Sequence, residues 1–81
     1  MTIGQKIRTE REACGISQKQ LAAAAHISAP SLSNIERGVT DPTLSTLFAL
    51  ASELELTPSE LLEGVTDLAA GRITRVPSKS R

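Results

Sequence analysis

The stretch "SQKQLAAAAHISAPSLSNIERG", residues 17–38, contains two serines that each stand directly before a short amphipathic run: Ser17 ahead of "QKQLAAAA" and Ser28 ahead of "APSLSNIER". A serine at such a boundary accepts a hydrogen bond from an otherwise unpaired N–H of the first helical turn, so each predicts a helix start. Gln20 completes a capping box at the first start. Pro30 lies in the first turn of the second, where its missing N–H removes no helical bond. Only "HIS" separates the two runs, and the pattern predicts a helix-turn-helix with Leu21, Ala22, Ala25, Ile27, Leu32 and Ile35 pointing inward. Ala22 and Ala25 are small, which lets a second helix cross closely. Gly38 closes the pair.

The same signals continue outward. Thr2, with Gln5 three residues on, predicts a helix over "IGQKIRTEREAC" that ends at Gly15, its inner side marked by Ile3, Ile7 and Cys14. "VTDP" reads as a turn in which Pro42 forces Asp41 into an extended conformation. Thr43 then caps "LSTLFALASELEL", where Leu44, Leu47, Ala51 and Leu54 repeat at helical spacing and Phe48 and Leu50 widen the stripe. Thr57, Pro58 and Glu60 predict a last, short helix over "SELLEG". Residues 1–64 thus read as one unit of five helices. Residues 65–81, "VTDLAAGRITRVPSKSR", form an extension without sustained periodicity whose last five residues read as disordered. There is no internal repeat and no linker to a second domain.

Composition agrees with an all-α fold. Among 81 residues Phe48 is the only aromatic, so the core must be built from Leu, Ile and Ala, which favours short helices over a sheet. Cys14 is the only cysteine, which excludes an internal disulfide and a thiolate zinc cluster; it is expected as a small buried apolar residue. No run approaches the roughly 20 apolar residues of a membrane span, and the N-terminus has no secretion signal, so a soluble, cytoplasmic protein is expected. Formal net charge is zero, but the charges are segregated. Residues 1–40 carry five basic against three acidic side chains, residues 41–67 six acidic and no basic ones, and residues 68–81 four basic and no acidic ones. A basic first half and tail around an acidic block leave one face able to meet phosphates.

From "IGQKIRTEREACGISQKQLA" through "SAPSLSNIERG" to "PTLSTLFALASEL" and "TPSELLEG", covering residues 3–64, the chain resembles the helix-turn-helix domains of the phage repressor and Cro family, the Xre-like regulators. The resemblance implies a compact five-helix, lambda-repressor-like domain whose third helix enters the DNA major groove. The family's base-facing positions fall on Ser28, Ala29, Pro30, Ser31, Ser33 and Asn34. Asn34 has an amide that can pair with adenine N6 and N7, while Ala29 and Pro30 suit a thymine methyl. The phosphate-contacting positions fall on Ser17, Gln18, Lys19, Arg37 and Thr40, with Arg8 and the backbone at Gly38 and Val39 as additions. Arg11 and Glu36 match a structural ion pair between the first and third helices. His26 departs from the pattern: it stands where glycine is usual and where a positive φ is commonly needed, and it is expected as a partly exposed turn residue.

These features point to a sequence-specific regulator of transcription, expected to be a repressor, that binds double-stranded DNA as a homodimer on a two-fold operator. Leu61, Leu62, Val65 and Leu68, with Ile73 and Val76, exceed what a small core needs and are candidates for the dimer interface. Arg72, Arg75, Lys79 and Arg81 are expected to form a basic arm for DNA, a solubilising end or an element exchanged between subunits. No cofactor, metal or small-molecule ligand is implied. The acidic run lacks metal-loop and paired-carboxylate spacing and no base stands near Cys14, so an enzyme is not expected. Two other readings stay open, a restriction-modification controller of the same fold and an antitoxin or adaptor whose main partner is a protein.

Overall fold

A computed structural model describes residues 1–68 and 71–72. Five helices follow in chain order: α1 (Ile3–Ala13), α2 (Gln18–Ala24), α3 (Ala29–Glu36), α4 (Leu44–Glu53) and α5 (Pro58–Leu62). Each begins where the sequence places a hydroxyl. Thr2, Ser17, Ser28, Thr43 and Thr57 accept from the backbone N–H of Gln5, Gln20, Ser31, Thr46 and Glu60 in turn. In α1, α2 and α5 the side chain at the third helical position also accepts from the cap's own N–H, which completes three capping boxes.

One turn design recurs three times, over "CGIS" (14–17), "AHIS" (25–28) and "LELT" (54–57). The second residue of each has a left-handed φ: 73° at Gly15, 62° at His26 and 60° at Glu55. The third is a half-buried Ile or Leu whose N–H donates back into the last helical turn: Ile16 to Arg11 O, Ile27 to Ala22 O and Leu56 to Ala51 O. The fourth is the next N-cap. This is the glycine-type C-cap closure, in which orphan carbonyls are satisfied and an apolar residue is pressed against the helix it has just left. His26 takes the positive φ that its place requires. Glu55 does so without any residue-type signal.

The core consists of Ile3, Ile7, Leu21, Ala22, Ala25, Leu32, Ile35, Leu47, Leu50, Ala51, Leu54 and Leu61, with Ile16, Ile27, Ala29, Leu56 and Val65 packed against it. The buried stripe of α4 is centred on Leu47, Leu50, Ala51 and Leu54. Leu44 and Phe48, expected inside, lie on a flanking row of that helix and are more than half exposed. Cys14 is also exposed rather than buried, because Arg11 takes the inward place one turn beyond Ile7 and Cys14 falls on the helix end. Gly4 is buried where α1 crosses the end of α3. A Cβ there would stand 2.0 Å from the Ile35 carbonyl oxygen and 3.0 Å from that of Glu36, so only glycine permits this approach.

Beyond Gly64 the chain returns beside its own N-terminus. The Thr66 N–H donates to Met1 O at 3.0 Å, and Asp67 bridges Thr2 in parallel. Two short strands, β1 (Asp67–Leu68) and β2 (Gly71–Arg72), pair antiparallel, with Asp67 opposite Arg72 and Leu68 opposite Gly71. No strand is expected from the sequence there, since two residues show no alternation to read. The expectations for Ile73, Arg75, Val76, Lys79 and Arg81, and for the side chains of Leu68 and Arg72, lie outside the described residues. No helix among the described residues is long and apolar enough to cross a membrane.

Candidate nucleic-acid interface

Leu32, Ile35 and Glu36 face inward on α3, and this fixes what the helix shows to solvent. Pro30, Asn34 and Arg37, at i, i+4 and i+7, fall on one row along the opposite side. Ser31 and Ser33 flank the row. Pro30, Ser31 and Arg37 are exposed, Ser33 and Asn34 half-buried. Of the other two base-facing candidates, Ala29 turns partly into the core. Ser28 is committed to its cap: its Oγ accepts from the Ser31 N–H at 3.1 Å and donates to Ser31 Oγ at 2.8 Å. The outward row therefore carries a proline, an amide and a guanidinium between hydroxyls.

A buried carboxylate holds the row in place. The Glu36 side chain is 1% exposed and that of Arg11 11%. Arg11 reaches across from α1 with two parallel bonds, Nε to Oε2 at 2.8 Å and Nη2 to Oε1 at 3.2 Å. Its Nη1 donates to the Ile16 carbonyl at 2.9 Å, so the same guanidinium fixes the turn before α2. The hydrogen bond to Glu36 raises the Arg11 pKa, burial opposes this, and the negative charges of Glu36 and Glu12 add to the rise; Arg11 stays charged. Gln18 Nε2 supplies a third donor to Glu36, at 2.9 Å from Oε1. The expected Arg11–Glu36 pair is therefore present, and Gln18 belongs to it, a role that spacing alone does not reveal.

Gln18 opens α2, and its bond to Glu36 brings the start of α2 beside the last turn of α3. The amides of Gln18 and Lys19 have no acceptor within their helix, so they form a positive helix end there. Lys19, Arg37 and Thr40 are exposed at this rim. Ser17 is exposed too, with its Oγ accepting from the Gln20 N–H as a cap. The backbone at Gly38 and Val39 does not offer free donors: Gly38 N–H closes on Ile35 O at 3.1 Å and Val39 N–H on Asn34 O at 2.9 Å, both spent on ending α3. Arg8 lies away in an exposed pair with Glu12 at 3.2 Å.

The expected dimer surface separates into parts. Leu61 is fully enclosed by its own domain and is no part of a surface, because α5 packs it against α1 and α4. Val65 is half-buried against the core, and Leu62 is exposed. Leu44 and Phe48, one turn apart on α4, add an exposed apolar pair. Among the described residues no group of His, Cys, Asp and Glu is placed to hold a metal ion.

A helix-turn-helix family model matches residues 7–61. The HTH-type transcriptional regulator DdrOP3 of Deinococcus deserti is 46% identical over 65 residues, 80% of this chain and 50% of that protein. The chain spans about half the length of the curated relatives it matches. A crystal structure of the P22 c2 repressor in complex with a synthetic operator superposes with a TM-score of 0.73 at 33% identity, over 79% of this chain and 97% of that one. The restriction-modification controller protein C.AhdI of Aeromonas hydrophila superposes with a TM-score of 0.71 at 34% identity, over 73% of this chain and 89% of that one. Matched through its five capped helices and the α2–α3 pair at their centre, this chain belongs to the helix-turn-helix family, in its repressor and Cro-like (Xre-like) branch.

Proposed function

We propose that this protein is a sequence-specific DNA-binding regulator of transcription, acting as a repressor through a homodimer on a two-fold operator. The outward row of α3 carries the proposal: Pro30, Asn34 and Arg37 stand on a helix braced from behind by Arg11, Glu36 and Gln18, with Ser17, Lys19 and Thr40 at the rim. Base edges face Pro30 and Asn34 of the row and the flanking Ser31 and Ser33, while phosphates meet Ser17, Gln18, Lys19, Arg37 and Thr40. The likeness to a repressor crystallised with an operator supports this reading.

Two copies bind half-sites about 34 Å apart, one helical turn of DNA. Leu62, Leu44 and Phe48, three of the exposed apolar side chains, are offered to the second copy. Selection of bound duplexes from a random pool tests the function: an enriched two-fold site supports it, and enrichment of no site, or of a single unrepeated half-site, counts against it. A second reading, a restriction-modification controller, draws on the likeness to C.AhdI. Transcription from a promoter bearing the selected site separates the two, since a repressor only lowers it whereas a controller also raises its own.

A further inference from the structure

Asn34 and Arg37 touch each other as well as facing outward. Arg37 Nη2 donates to Asn34 Oδ1 at 2.5 Å, and Arg37 Nε approaches Ser33 Oγ at 3.4 Å. Because a guanidinium has only donors, the amide atom it meets must be the oxygen, and this fixes which way the Asn34 amide points. An asparagine reads adenine by using both ends of its amide, the oxygen accepting from N6 and the nitrogen donating to N7. Here a cation already takes one of the two lone pairs of that oxygen and places its positive charge beside it. What remains toward the groove is the Asn34 Nδ2 and the unspent N–H groups of Arg37, a cluster of donors. Guanine presents two acceptors in the major groove, O6 and N7, whereas the adenine amino group would have to approach a guanidinium of its own polarity.

We propose, resting on the DNA-binding reading above, that Arg37 positions the Asn34 amide so that the pair reads guanine in place of adenine. Arg37 is in this respect a positioning residue, distinct from a simple phosphate contact. The test is selection from a random duplex pool with the wild-type protein, Asn34→Ala and Arg37→Ala, each first shown to be folded by circular dichroism. Asn34→Ala identifies the base pair concerned by losing preference there. The wild type is expected to favour guanine over adenine at that pair by about tenfold. Arg37→Ala is expected to bind more weakly and to turn that one position toward adenine, leaving the other positions unchanged. Adenine at that position in the wild type overturns the proposal while leaving DNA binding intact. So does an Arg37→Ala protein that weakens on every sequence alike, since a phosphate contact alone would do that. Enrichment of no site by the wild type removes the DNA-binding reading, and this proposal with it.

Discussion

The pairs α2–α3 and α4–α5 share one turn and do different work. In both, the first helix ends with a residue at φ −89° and ψ 3°, a left-handed non-glycine residue follows, and an apolar residue and a hydroxyl cap lead into the second helix. The backbone device is common to both, so the device does not make an interface. The difference lies in what braces and clothes each pair. The second helix of the first pair is tied down by a buried carboxylate with three donors and shows an amide, a guanidinium and hydroxyls. The second pair is held by Leu47, Leu50, Leu54 and Leu61 and shows Glu53, Glu55, Glu60 and Glu63. Acidic side chains there repel phosphates, which on the proposed function leaves approach to DNA to α3.

Breaking the two braces separately should distinguish them. Arg11→Met strands the Glu36 carboxylate in the core, and unfolding by urea should show a loss of about 4 kcal/mol. Arg11→Met with Glu36→Leu should recover most of that, because no buried charge is then left unpaired. Leu61→Ala in α5 should cost about 3 kcal/mol, with hydrogen exchange rising first in α4 and α5 rather than in α3. Gly4→Ala pushes α1 off the end of α3 and should cost about 2 kcal/mol. Asn34→Ala should leave the melting temperature unchanged and lower discrimination at one base pair by about 1.5 kcal/mol in competition binding. His26→Gly and Glu55→Gly relieve the same left-handed strain in the two turns, and each should raise stability by about 1 kcal/mol. A gain at one turn alone would show that the turns are not equivalent.

Most of the helical frame is legible in the sequence because helix ends are local events. A hydroxyl before an amphipathic run, with Gln or Glu three residues later, reports its own hydrogen bond, and all five starts lie where Thr2, Ser17, Ser28, Thr43 and Thr57 put them. Facing is less local. Leu44 and Phe48 fit a helical stripe on spacing alone, yet only the docking of α4 decides which side of the stripe is covered. Cys14 follows the inner period of α1, but Arg11 reaches the same face first to meet Glu36. Leu61 reads as surplus until α5 is seen to seal the core. The outward row of α3 is partly readable: spacing from Leu32 and Ile35 places Pro30, Asn34 and Arg37 outside. The bonds of Gln18 to Glu36 and of Arg37 to Asn34 depend on rotamers that no motif records, and Gly4 gives no signal without the helix crossing it.

Amide chemical shifts followed during titration with the selected duplex test most directly whether the reading face is α3 and not its twin. The largest changes are expected at residues 17–19, 28–34 and 37–40, with Glu53 to Glu63 unmoved. Changes centred on α5, with α3 silent, would contradict it.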